Sequence, residues 1–195
     1  MSTGGVYQTA DGGESWKPAN SGIKAYFMPD PDPEFGQCVH KMATHPDVPE
    51  RLFAQNHHGV YRSDDGGSTW SSIADGLPSD FGFAMVAHPA RGATAWVAPL
   101  VADGERIPPD GALKVWRTDD AGDSWASVSA GLPESGFYAS VLRDAFTVDD
   151  VADSAGLYLG SRDGSVYVSA DEGGKWAEVA RHLPDVLCVR AATVA

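Results

Sequence analysis

The sequence predicts an all-β fold, a β-propeller of four-stranded antiparallel blades, and three observations carry that expectation. A short turn motif ending in Trp occurs four times. Its copies stand one blade-length apart. Short runs rich in Val, Ile, Tyr, Phe and Trp recur at fixed places around each copy.

The four copies are TADGGESW (9–16), SDDGGSTW (63–70), TDDAGDSW (118–125) and SADEGGKW (169–176). Their last residues, Trp16, Trp70, Trp125 and Trp176, lie 54, 55 and 51 positions apart. In each copy an Asp (Asp11, Asp65, Asp120, Asp171) can accept hydrogen bonds from the N–H groups of its own turn. The Ser or Thr two residues earlier can bond locally in the same way. A Gly permits the positive φ that closes the hairpin. Each Trp is expected to pack against the next turn or blade and bury a large ring. The motif therefore reads as a structural fastener. A calcium loop of the EF-hand kind is excluded, because no copy supplies oxygen ligands at loop positions 1, 3 and 5 with Glu at 12.

The flanks supply the other strands. Runs 59–62, 113–117 and 165–168 precede the last three copies, and Val6-Tyr7 holds that place in the first. Runs 38–44, 83–87 and 140–148 predict the innermost strands, and 52–55, 95–98 and 157–160 the strands beside them. This divides the chain into a half-blade (1–23), three blades (about 38–77, 83–132 and 139–183) and a lone strand at 186–191 expected to close the ring. The count is about four blades. It leaves three arrangements open: the C-terminal part of a larger propeller, a small four-bladed ring, or two copies sharing one ring.

The four copies match Ser/Thr-x-Asp-x-Gly-x-Thr/Ser-Trp and resemble the Asp-box repeat, also called the bacterial neuraminidase (BNR) repeat, of sialidase-like propellers. The fourth departs from it at Lys175, which removes one local hydroxyl bond. The resemblance implies the propeller and does not by itself imply catalysis.

Composition narrows the partners. The chain has 195 residues, 43% of them hydrophobic and 21% charged, with 22 Gly and 13 Pro. That suits a soluble domain of short strands and tight turns. The net charge of −13, with only 14 Lys and Arg, disfavours nucleic acid, whose binding needs a basic patch. No apolar run approaches a membrane span. No signal sequence is apparent, so the expected location is cytoplasmic, with secretion left open if the N-terminus is truncated. Cys38 and Cys188 form no disulfide framework, and no cofactor or metal is expected. The expected partners are a carbohydrate or protein ligand and, through open blade edges, a second copy.

Loops that join blades, or the middle strands of one blade, open on the face opposite the Asp boxes. The two longest insertions, 24–37 and 100–112, fall there, so the site is expected on that face. The ligand-binding candidates are Gln37, His40, Asn56, His57, His58, Arg106, Arg143 and Arg162. Neighbouring His57 and His58 point different ways on a strand, which argues against their sharing a metal. Glycoside hydrolysis is the alternative to a binding or scaffold role. It needs two carboxyl groups about 5 Å or about 6.5–9.5 Å apart, and the catalytic candidates are Asp144, Asp30, Asp32 and Glu34. The resemblance to sialidases would further imply three arginines gripping a substrate carboxylate. Arg62 and Arg117 stand beside the boxes, which leaves Arg106, Arg143 and Arg162.

Overall fold

The computed structural model describes residues 3–151 and 153–192. It contains one two-stranded sheet, β1 (Tyr7–Gln8) with β2 (Lys17–Pro18), and three four-stranded antiparallel sheets. The first blade is β3 (Val39–His45), β4 (Val48–Asn56), β5 (Val60–Ser63) and β6 (Ser71–Ser72). The second is β7 (Gly82–Ala87), β8 (Ala95–Pro99), β9 (Trp116–Thr118) and β10 (Ala126–Ser127). The third is β11 (Phe146–Val148), β12 (Leu157–Gly160), β13 (Val166–Ser169) and β14 (Ala177–Ala180). Each blade pairs in simple chain order. No helix among the described residues is long and apolar enough to cross a membrane.

The blades stack face to face, with β7 between β3 and β11, and the core divides accordingly. Val6, Ile23, Ala54, Tyr61 and Trp70 cluster between the half-blade and the first blade. Phe53, Val60, Ile73, Met85 and Val97 fill the next gap. Trp96, Val115, Phe146, Leu157, Leu159 and Trp176 fill the third. Gly22 shows how tightly neighbours fit. Its φ is +97°, and a Cβ there would lie 2.0 Å from the Trp70 carbonyl oxygen, so only Gly is tolerated.

The Asp boxes form as their chemistry requires. Asp65 accepts from Thr69 N at 2.9 Å and Thr69 Oγ1 at 2.6 Å, and Ser63 Oγ donates to it at 2.8 Å. Asp11 and Asp120 repeat this set. These bonds hold Asp65 and Asp120 at pKa values of about 2. Asp171 keeps the bonds from Lys175 N and Ser169 Oγ, but Lys175 has no hydroxyl to add the third.

The Trp residues lock blades together. Trp70 Nε1 donates to Ala19 O, Trp125 Nε1 to Ile73 O and Trp176 Nε1 to Val128 O, reaching back 51, 52 and 48 residues to the preceding unit. Trp16 is the exception to the expected burial. It is 58% exposed.

Two strand expectations change. The innermost strand of the third blade, expected over 140–148, is confined to Phe146–Val148, and Asp144 just before it pairs with Lys41 and Arg190. The segment 186–191, expected to close the ring, makes a single parallel bridge between Cys188 and Asp144. Val189 N donates to Asp144 O, and Val186 and Val189 pack where Gly160 leaves room. It therefore lies along the third blade, and the sheets are not closed into a ring.

Candidate functional site

The two insertions meet over the first blade. The Tyr26 backbone N–H donates to His58 Nδ1 at 3.2 Å, and the Phe27 ring stands edge-on to His57. From the other insertion, Asp103 Oδ2 lies 3.5 Å from His57 Nε2. Beneath them is a cavity of about 410 Å³ lined by Phe27, Cys38, His40, His57, Phe81, Phe83, Asp103, Arg106, Leu142 and Arg143. It draws on all three blades, and its walls are largely aromatic. Arg143 lies over the Phe83 ring at 4.9 Å and Arg106 over the same ring at 5.5 Å, both within cation–π range. Neither guanidinium forms an ion pair among the described residues. Arg106 adopts a positive φ of 54°, held by its N–H bond to Ala102 O and its Nε bond to Asp103 O.

The sequence candidates separate into three groups. His40, His57, Arg106 and Arg143 line this cavity. Gln37, Asn56 and His58 hold the 24–37 loop. Gln37 donates to Ile23 O and Pro33 O, Asn56 donates to Lys24 O, and His58 receives the Tyr26 N–H. Arg162 does not line the aromatic cavity; it pairs with Asp185 at 2.8 Å in a second hollow with Glu105, Tyr138 and Asp163, which Arg106 also borders.

The carboxylates do not converge on the cavity. Asp144 is bound by Lys41 at 2.7 Å and Arg190 at 3.3 Å, and the Lys41 hydrogen bond and charge hold its carboxyl below the usual range. Asp32 pairs with Lys24, and Asp30 accepts from Asp32 N. Glu34 and Asp32 border another hollow, with Pro18, Asn20 and Gly22. Asp103 is the carboxylate that lines the aromatic cavity.

Sequence reasoning missed Cys38. It stands two residues before His40, and His57 N donates to its carbonyl at 2.9 Å. Val39 pairs with Asn56, so Cys38 and His57 are the next cross-strand neighbours and share a face. The register shifts at His40, and such a bulge re-aims a side chain. Burial pushes His40 down to a pKa of about 4, with Arg143 and His57 adding to the fall and the Gly82 carbonyl opposing it.

No family model matches the chain, and no curated protein matches it. Solved structures do. An ancestral GH74 enzyme superposes with a TM-score of 0.65 at 21% identity, over 93% of this chain and 22% of that one. The GH74 xyloglucanase from Xanthomonas campestris gives 0.64 at 20%, over 95% and 28%. YCF48 from Cyanidioschyzon merolae gives 0.53 at 19%, over 90% and 49%. The chain thus spans about a quarter of the GH74 chains and about half of YCF48. At these identities the likeness establishes the β-propeller fold alone.

Proposed function

We propose that this chain is a ligand-binding propeller unit of the Asp-box (BNR) type, and that its site is the aromatic cavity beneath the 24–37 and 100–112 loops. Its ligand is an acidic carbohydrate. The observation that carries this reading is the pair of guanidinium groups, Arg106 and Arg143, set over Phe83 without a carboxylate partner among the described residues. Guanidinium groups bind carboxylates through directed, charge-assisted hydrogen bonds. Phe27, Phe81 and Phe83 supply apolar faces for a sugar ring.

Calorimetric titration with sialosides, uronic-acid oligosaccharides and neutral β-glucan oligosaccharides tests this. Acidic ligands are expected to bind more tightly than neutral ones. Arg143→Ala removes a hydrogen bond to a charged group, worth about 1.5–3 kcal/mol, so affinity should fall roughly 10- to 150-fold. Equal binding of neutral and acidic ligands, or no effect of Arg143→Ala, would overturn the reading. The alternative, glycoside hydrolysis, requires a second carboxyl group beside Asp103. Product analysis in the same titrations would reveal it.

A further inference from the structure

We propose that Cys38, His40 and His57 form a binding site for a divalent transition-metal ion of the zinc class. The ligand atoms of these three residues lie within 4.8 Å of one another. A tetrahedral ion with Zn–N bonds of about 2.0 Å and a Zn–S bond of about 2.3 Å separates its ligands by roughly 3.5 Å. Side-chain rotation of at most about 1 Å therefore closes the cluster. Thiolate with imidazole suits zinc, and three protein ligands leave a fourth position for water or another small ligand.

The surroundings fit the chemistry of the ligands. His40 Nδ1 lies 2.6 Å from the Gly82 carbonyl oxygen, which can only accept. The proton is thus on Nδ1, and Nε2 keeps its lone pair for the ion. Metal-bound histidines are commonly oriented through such a carbonyl bond. Asp103 Oδ2, 3.5 Å from His57 Nε2, brings a carboxylate to the second imidazole. Burial raises the Cys38 thiol, and the Arg143 charge offsets part of that. Binding replaces the S–H bond with a metal–sulfur bond and releases one proton to solvent, with no change of oxidation state.

The backbone explains why the site is built here. Cys38 and His57 are brought opposite one another by the β3–β4 pairing, and the bulge at His40 turns a third ligand to the same side. His58 takes no part. Its Nδ1 faces the Tyr26 backbone. The inference does not depend on the sugar ligand, because Arg106 and Arg143 are not among the metal ligands.

Cobalt titration of the chelator-treated full chain tests it. One Co²⁺ per chain is expected, with the visible bands of a tetrahedral site and a near-ultraviolet thiolate-to-cobalt band, both displaced by Zn²⁺. Cys38→Ser should abolish the thiolate band, while Cys188→Ser should leave it unchanged. Asp103→Asn should weaken binding about 10- to 100-fold. If Cys38→Ser does not fold, the wild-type chain still decides the matter: Zn²⁺ should protect Cys38, and not Cys188, from iodoacetamide. Absence of the thiolate band, its persistence in Cys38→Ser, or equal alkylation of Cys38 with and without Zn²⁺ overturns the site.

Discussion

Replacing Glu172 with Gln should destabilise the chain by roughly 3 kcal/mol at pH 7, and the loss should shrink in acid. Glu172 sits in the fourth Asp box but serves the second blade. It is 9% exposed and pairs with Arg91, Arg117 and His88. Its backbone carbonyl accepts from Trp96 Nε1 at 3.1 Å. Burial alone would raise its pKa, but the Arg91 hydrogen bond and charge, with His88 and Arg117, hold it down at about 2 from the usual 4.5. At about 1.4 kcal/mol per unit, that fall sets the magnitude. Because the folded pKa is depressed, the stabilisation is complete above about pH 4.5 and is lost as pH falls toward about 2. Gln imitates the protonated acid and shares the strained φ of 61° at this position, so the comparison isolates the charge. Urea denaturation of both proteins at pH 7 and pH 3 measures it, and the difference at pH 3 should be roughly half that at pH 7. A difference below about 1 kcal/mol at pH 7, or one that does not change with pH, would refute the account of Glu172 as a charged clamp between blades.

Two further predictions separate the parts of the Asp box. Trp70→Ala should cost about 3–5 kcal/mol, whereas Trp16→Ala should stay within about 0.5 kcal/mol, since Trp70 is 4% exposed and Trp16 58%. Chemical denaturation that ranks them the other way would contradict the packing argument. Lys175→Thr should restore the missing hydroxyl bond and move the NMR titration midpoint of Asp171 down toward the value of about 2 held by Asp65 and Asp120. A midpoint that stays put would show that the hydroxyl is not the cause.

The fold was legible because its signal is local and repeated. Each box closes its turn with bonds spanning four residues or fewer, so the residues needed stand together in the chain. Blade order followed from the same spacing. The site was legible only in part. The insertions pointed to one face, and His40, His57, Arg106 and Arg143, named from the sequence, line the cavity proposed as the site. Side-chain alternation separated His57 from His58 but could not reveal Cys38 as their neighbour. That depends on the pairing of Val39 with Asn56 and on a bulge at His40, and register is a tertiary choice. Gln37 and Asn56 looked like ligand residues because they are polar in an apolar run. The carbonyls they bind belong to a loop up to 32 residues away, and no local pattern announces that.

The exposed first box makes a distinction that the buried ones conceal. Asp11 keeps its bonds to Thr9 and Ser15 although Trp16 lies in solvent, so the turn does not need a neighbouring blade. Cohesion between blades is a separate matter, carried by the Trp bonds that reach back about one blade and by Glu172. The cavity depends on that second layer. His57 belongs to the first blade, Arg106 to the second and Arg143 to the third, and no covalent segment shorter than a loop fixes the angle between them. A box substitution that spares the turn but loosens the Trp bond should therefore act on the cavity from the opposite face, by changing the spacing of blades whose own sheets remain intact.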